Sequence, residues 1–427
     1  MRIFLTIWAG QVVSLVSSGM TSFALGLWIY EQTGQATPFV LIALFNAIPP
    51  FVVSPFAGVL VDRLNRKTVM LLADTATAVV TLILWLLFSQ GQLQLWQLYA
   101  GALVTSAAGI FQMLAYQTIV TSLVPREQLT RANAMVQTAH SLAAILSPVA
   151  AAAAYGTLGL TFIFGLDLAG FAVAALMLLL ARIPQPAAQD AKVSLLADLR
   201  MGFVYLRSRP GLISLAVLIS LLNLMLSAST VLSTPMILGF TTAQVLSVMQ
   251  SVSSVGLLLG GLWASAGRSP QRKVLTMVLC AVVSGLGLAA SGLQPNPVLI
   301  AVGFFLFMFP ITTINASIRA VVQTKVPSNL QGRVFSLIVM ISRAGVLLSM
   351  LLAAPLADRI FEPAMAVGGV LGSGPLGALL GAGPGRGIGL MLLLSGLGMV
   401  SAALLMYAYP RMRNVECELP DAVTPAG

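Results

Sequence analysis

The chain has 427 residues, of which 58% are apolar and only 8% charged, with a mean hydropathy of +0.97 and a formal net charge of +10. So little charge cannot solvate the surface of a water-soluble fold of this length, and apolar runs beyond about 20 residues are what a bilayer-crossing helix requires. A membrane barrel would show roughly 10-residue alternating segments, which do not recur here, and Cys280 and Cys417 are too few for a disulfide framework or a cysteine metal site.

Twelve spans are predicted in chain order, at 4–30, 37–61, 67–88, 95–119, 133–155, 158–181, 211–237, 244–266, 273–293, 297–318, 334–357 and 388–409. The first begins almost at Met1 and passes Tyr30, longer than the roughly 7–15 apolar residues of a cleaved leader, so it is expected to remain as span 1. Of the 22 Lys and Arg, all but Arg343, Arg359 and Arg386 fall on one side of the membrane if the N-terminus is cytoplasmic. That bias predicts both termini inside the cell and makes the net charge topological rather than a nucleic-acid footprint.

Polar residues inside the spans are few. Span 1 carries Gln11, Ser14, Ser18 and Ser22 at helical spacing, span 4 Gln112 and Tyr116, span 7 Asn223 and span 10 Asn315. Ionisable groups within spans are Asp74, His140, Asp167 and Arg343. Charge at that depth is expensive, so each is a candidate proton or charge site. Asp74, two turns beyond Lys67, could join a cytoplasmic gate. Asp167, in the apolar stretch Phe162 to Phe171, is the better candidate proton carrier because burial disfavours the charged carboxylate. His140 weighs more as a hydrogen-bonded packing residue, and Arg343 could pair with a carboxylate or meet an anionic substrate.

The chain contains a diverged duplication: Pro125 and Arg131 recur as Pro327 and Arg333 at one common offset, and Gly58 recurs as Gly260 at the same offset. The expected organisation is a six-helix half over 1–182, a linker over 183–210, a second six-helix half over 211–413 and a cytoplasmic tail over 414–427. Within the linker, Leu196, Leu199, Phe203 and Leu206 share one helical stripe, as in a helix lying at a membrane surface.

Between spans 2 and 3 stands Gly58-Val-Leu-Val-Asp62-Arg63-Leu-Asn65-Arg66-Lys67, a dense charge cluster between two apolar segments. It resembles the hallmark loop of the major facilitator superfamily, G-x-x-x-D-R-x-G-R-[KR], with Asn65 in place of glycine. The resemblance covers residues 1–413 and implies an all-α integral membrane protein of twelve helices in two six-helix pseudo-repeats. It further implies a substrate cavity lined by spans 1, 4, 7 and 10 and transport by alternating access. Gly58 would permit close helix approach. Asp62 would meet the start of span 11 near Gly332 and Arg333 and hold the cytoplasmic gate shut. Arg63, Arg66 and Lys67 would bridge Asp62 and anionic lipid headgroups, and Asn65 would accept a left-handed turn.

Gln11-Val-Val-Ser14, the Val124 to Ala134 loop and Gly332-Arg333-Val334-Phe335-Ser336 are similar to the macrolide-efflux and siderophore-export branch of drug:proton antiporters. Ser147-Pro148 with small neighbours resembles the kinked g-x-x-x-G-P-x-x-G-G stretch of exporters. Span 4 departs from many proton-coupled exporters in carrying no arginine. The expectation is proton-coupled efflux of amphiphilic small molecules by a monomer in the plasma membrane, in contact with lipid and without nucleic acid, cofactor or metal. The alternatives are a dedicated exporter of one metabolite such as a siderophore, a lysophospholipid flippase, or a non-transporting sensor on a transporter scaffold. Gly372-Ser-Gly374-Pro-Leu-Gly377 matches G-x-G-x-x-G but follows no predicted strand, so the Gly-rich loop that ends at Gly387 reads as a flexible extracytoplasmic cap. No Walker loop or Ser-His-Asp set is present, so no enzyme activity is expected.

Overall fold

The computed structural model describes residues 2–53, 57, 60–61, 64–125, 128–181, 203–266, 272–326 and 328–414. Among them are long helices and no strand: α1 (Arg2–Thr33), α2 (Thr37–Val52), α3 (Arg66–Ser89), α4 (Leu95–Leu123), α5 (Leu129–Leu180), α6 (Pro210–Leu238), α7 (Ala243–Ala266), α8 (Lys273–Leu293), α9 (Pro297–Met308), α10 (Ile311–Lys325), α11 (Ser328–Leu356) and α12 (Arg386–Ala408). Ten stretches are long and apolar enough to cross a bilayer. One is the double-length α5, which takes a non-helical turn at Gly159 (φ 76°, ψ 175°), a conformation open to glycine alone, and so supplies spans 5 and 6. With α5 counted twice and the shorter apolar α2 included, the twelve predicted spans are present.

Span 10 differs from expectation in being two helices. Pro310 has no N–H to donate and its ring crowds the preceding turn, so α9 ends at Met308 and α10 starts at Ile311. The linker stripe lies outside the described residues at Leu196 and Leu199. Large apolar side chains point outward all along the helices, with Leu72 64%, Leu180 69% and Trp263 69% exposed. In water such a surface would aggregate, whereas against lipid it is the face that hydrocarbon covers.

The chain divides into two compact units, residues 1–192 with 243–251, and residues 193–242 with 252–427. In the first, α1 lies along α5 through small residues: Ser17 seats on Gly170 and Ser147 on Gly19. One core there gathers Met20, Ala24, Ile29, Leu84, Leu98 and Phe164, and another gathers Ile7, Val69, Met70, Ala115, Ile119 and Leu178.

In the second unit α8 and α12 meet backbone to backbone. A Cβ added at Gly285 would stand 2.7 Å from the Gly396 carbonyl oxygen and 2.8 Å from Val400. Between helices in lipid, such contacts supply much of the association because hydrocarbon gives no hydrophobic drive. Gly285→Val should therefore cost about 1–3 kcal/mol by overpacking, seen as a lower unfolding temperature of the detergent-purified protein. An unchanged melt would mean the α8–α12 seam can open without loss.

Candidate functional site

Of the signature loop, Gly58, Asp62 and Arg63 lie outside the described residues, and of Gly332 and Arg333 on α11 only the helical backbone is described. The described part corrects two expectations. Asn65 has φ −63° and ψ 112°, so it takes no left-handed turn. It is the N-cap of α3, its side-chain oxygen accepting from the Thr68 N–H at 3.1 Å. A glycine would leave that N–H without this partner, which is a physical reason for asparagine here. Lys67 does not turn to the lipid surface either. Its ammonium donates to the carbonyls of Leu179 and Ala181, both at 2.8 Å, and so caps the C-terminal end of α5, where free carbonyls and the helix dipole favour a cation.

Two buried carboxyls of the first unit sit in contrasting surroundings. Asp167, 2% exposed, accepts at Oδ1 from Ser18 at 2.8 Å and Ser17 at 3.3 Å, and at Oδ2 from Thr81 at 3.4 Å. Three hydroxyls from α1 and α3 thus converge on one acid of α5, which fastens spans 1, 3 and 6 together. Asp74, 3% exposed on α3, has a single donor: Gln112 Nε2 on α4 reaches Oδ1 at 2.6 Å and also Gln11 Oε1 on α1 at 3.1 Å. Asp74 Oδ2, Gln11 Nε2 and the Tyr116 hydroxyl are all buried without a partner. Asp74 therefore belongs to an intramembrane amide cluster, and the expected place in a charged gate network is not where its described contacts lie.

Gln11, Gln112 and Tyr116 were expected to line a cavity, and Gln11 and Gln112 do meet. Ser18 is engaged by Asp167, Ser14 is buried with its carbonyl accepting from Ser17 at 3.1 Å, and Ser22 is exposed. Ser147 donates to the Val16 carbonyl at 2.9 Å, so the Ser147-Pro148 stretch binds span 5 to span 1. His140 on α5 and Arg343 on α11 are exposed, and neither joins these clusters.

In the second unit Asn223 and Asn315 do line one cavity, of about 60 Å³, with Ile219, Leu222, Leu226, Ile311, Ile314, Ile318 and Met399. The Asn223 amide is spoken for on its donor side, giving hydrogen bonds to the Ile219 carbonyl and to Ser342 Oγ, both at 2.9 Å. Its oxygen is left as the polar group that could orient a ligand in an otherwise apolar wall. Beside it, Ser349 of α11 donates to the Leu224 carbonyl at 2.5 Å and accepts from the Ala228 N–H at 3.0 Å. A hydroxyl is thereby inserted into the hydrogen-bond ladder of α6, a recognised origin of helix bending.

Several residues of these clusters had no sequence signal. Ser17, Thr81, Ser342 and Ser349 are common in membrane helices and become informative only through partners far away in the chain. The glycine-rich loop is also corrected from a loose cap to a hydrogen-bonded one. Glu362 accepts from the N–H groups of Gly385 and Ile388, and the 2% exposed Arg386 donates to the carbonyls of Gly292 and Leu293 at the end of α8. Among the described residues no cluster of three His, Cys, Asp or Glu could hold a metal ion.

Comparison with known proteins places these features in a family context. The model of the Major Facilitator Superfamily matches residues 7–350. Macrolide efflux protein A of Streptococcus pyogenes is 29% identical over 368 residues, covering 84% of this chain and 90% of that protein. The enterobactin exporter EntS of Citrobacter koseri is 27% identical over 337 residues, 78% of this chain and 79% of that one. Among solved structures, the nucleoside transporter NupG superposes with a TM-score of 0.76 at 14% identity, over 95% of this chain and 100% of that one. A bacterial homologue of the human lysosomal transporter Spinster gives 0.72 at 12% identity, over 100% and 98%. At these identities the structures speak to the fold.

Proposed function

Because this chain belongs to the major facilitator superfamily, we propose that it exports amphiphilic small molecules across a bacterial plasma membrane in exchange for protons. Family and helices together make it a multi-pass membrane transporter with the twelve-helix fold. The observation that carries the direction and substrate class is the similarity to a macrolide efflux protein along 84% of the chain. The cavity lining supports it: two asparagine amides among aliphatic side chains suit a largely apolar ligand better than a sugar phosphate or a dicarboxylate. Both termini are assigned to the cytoplasm from the Lys and Arg distribution. The loop over 58–67 is the proposed cytoplasmic gate element, and the working form is a monomer.

The test is accumulation of radiolabelled erythromycin in bacterial cells stripped of their own pumps. Cells expressing the chain should hold less label than vector controls, and a protonophore should remove the difference. A panel of macrolides and lipophilic dyes with no change in accumulation would overturn the multidrug reading. Similarity to a siderophore exporter supports a dedicated exporter as the second reading, which predicts a catecholate siderophore in the medium and indifference to the drug panel.

A further inference from the structure

We propose that the proton exchanged during export is carried at Oδ2 of Asp74, in a site completed by Gln112 and Gln11. This deepens the proton-coupled reading given above and rests on it. The two buried acids of the first unit are the candidates, and their hydrogen bonding separates them. Asp167 has both oxygens engaged by the hydroxyls of Ser17, Ser18 and Thr81, so it is already satisfied as an acceptor and serves as a fastening. Asp74 has one oxygen engaged by one neutral amide, while the other is buried with no donor. A buried carboxylate held by a single neutral donor is costly, and a proton bound at the free oxygen removes the charge.

The surroundings add a second feature. Gln11 Nε2 is a buried donor without an acceptor, and Asp74 Oδ2 is a buried acceptor without a donor. The Gln11 amide is near enough to interact with the Asp74 carboxyl, yet Gln112 holds its oxygen rather than the carboxyl holding its nitrogen. Two arrangements of the cluster follow. With the proton on Oδ2 the neutral carboxyl makes no call on the spare Gln11 donor. When the O–H bond breaks and the proton leaves, the carboxylate draws in Gln11 from span 1, so the protonation state is transmitted to helix position. One proton enters and the same proton departs on the opposite side, with no electrons transferred.

Among the described residues no other charge takes over this role at the site. On α3 itself, Arg66 and Lys67 stand at the first turn, with Lys67 committed to the end of α5. Thr81, seven residues beyond Asp74 and so roughly 10 Å along the helix, is where Asp167 binds. From α4 the titratable groups are Tyr116 and Tyr99, from α5 Arg131, His140, Tyr155 and Asp167, and from α1 Arg2 at its first residue, Tyr30 and Glu31, the last bonded to Tyr155. Among them, Tyr116 alone shares the buried cluster that packs around Met70, one turn before Asp74.

The full-length protein is reconstituted in inside-out vesicles and its transport of radiolabelled erythromycin measured in two modes. Under an imposed pH gradient, wild type should accumulate label and Asp74→Asn should lose accumulation and its pH dependence. Exchange of label at equal pH should persist in Asp74→Asn, because the amide keeps shape and the Gln112 contact, and Asp74→Glu should restore the gradient response. Asp167→Asn should keep it. If wild type responds to the gradient and Asp74→Asn responds equally, or if Asp167→Asn alone loses the response, the assignment is overturned while proton-coupled export stands. If wild type ignores the gradient, the coupling reading falls and the assignment with it. A measurement on wild type needs no variant: dicyclohexylcarbodiimide, which reaches protonated carboxyls from the membrane, should modify Asp74 increasingly as pH falls and block gradient-driven accumulation. Modification of other carboxyls with Asp74 untouched would overturn the proposal.

Discussion

Glu362→Ala is expected to unfold at a markedly lower temperature than wild type in the same detergent. Glu362 receives the Gly385 N–H at 3.0 Å and the Ile388 N–H at 2.8 Å, which satisfies donors at the start of α12 where a carboxylate is also favoured by the helix dipole. Its field also reaches Arg386, whose guanidinium is buried, donates to two carbonyls of α8 through Nη2, and has Nε and Nη1 without partners. Truncation would strip two backbone N–H groups of their acceptor, a loss of about 1–3 kcal/mol for each donor left unsatisfied, and would remove the negative field that favours the buried guanidinium. Adding Arg386→Met to Glu362→Ala should recover part of the loss, since the buried charge goes too. Thermal unfolding of the single and double variants decides the matter: equal melts would show that the charge is not what Glu362 holds in place.

The second large effect is at Asp167. Asp167→Leu should prevent recovery of a monodisperse folded protein, whereas Asp167→Asn should be recovered close to wild-type yield. Leucine removes the acceptor for Ser18 and Thr81 and one of two acceptors for Ser17, which also bonds the Ser14 carbonyl. Each buried hydroxyl left unsatisfied costs about 1–3 kcal/mol, and two or three together approach the whole stability of a typical domain. Asparagine keeps one acceptor oxygen and the same volume. Size-exclusion profiles and melts of both variants provide the check, and a stable, monodisperse Asp167→Leu would remove the fastening role.

Much of the architecture was readable along the chain because the bilayer imposes it. Backbone groups in hydrocarbon must bond within their own helix, so the length of each apolar run already states a span, and all twelve were legible in that way. Proline is equally local, and Pro310 could have been read as a break, whereas Gly159 fell inside span 6 by its apolar run and became a break only in the structure. The signature loop named the family from ten adjacent residues, and the family model agrees.

Side-chain partnership was not readable, because it is set by rotation of one helix against another and those partners lie far apart in sequence. Taking Gln11, Ser14, Ser18 and Ser22 as one stripe placed Ser18 and Gln11 in polar clusters but missed Ser17, one position round the helix, which faces Asp167 and Gly170. Asp74 and Asp167 look alike as lone acids in apolar runs. Three hydroxyls converge on one and a single amide on the other only after spans 1, 3, 4 and 6 have packed. Lys67 likewise carried the same charge in either reading, and the closing of the α5 end onto α3 directed it to two carbonyls rather than to lipid. The sequence by itself determined which segments cross the membrane, since that depends on composition and length. Which polar groups satisfy one another, and which are left free to take a proton, was decided only by the tertiary packing, since a hydrogen bond requires two particular atoms within about 3 Å.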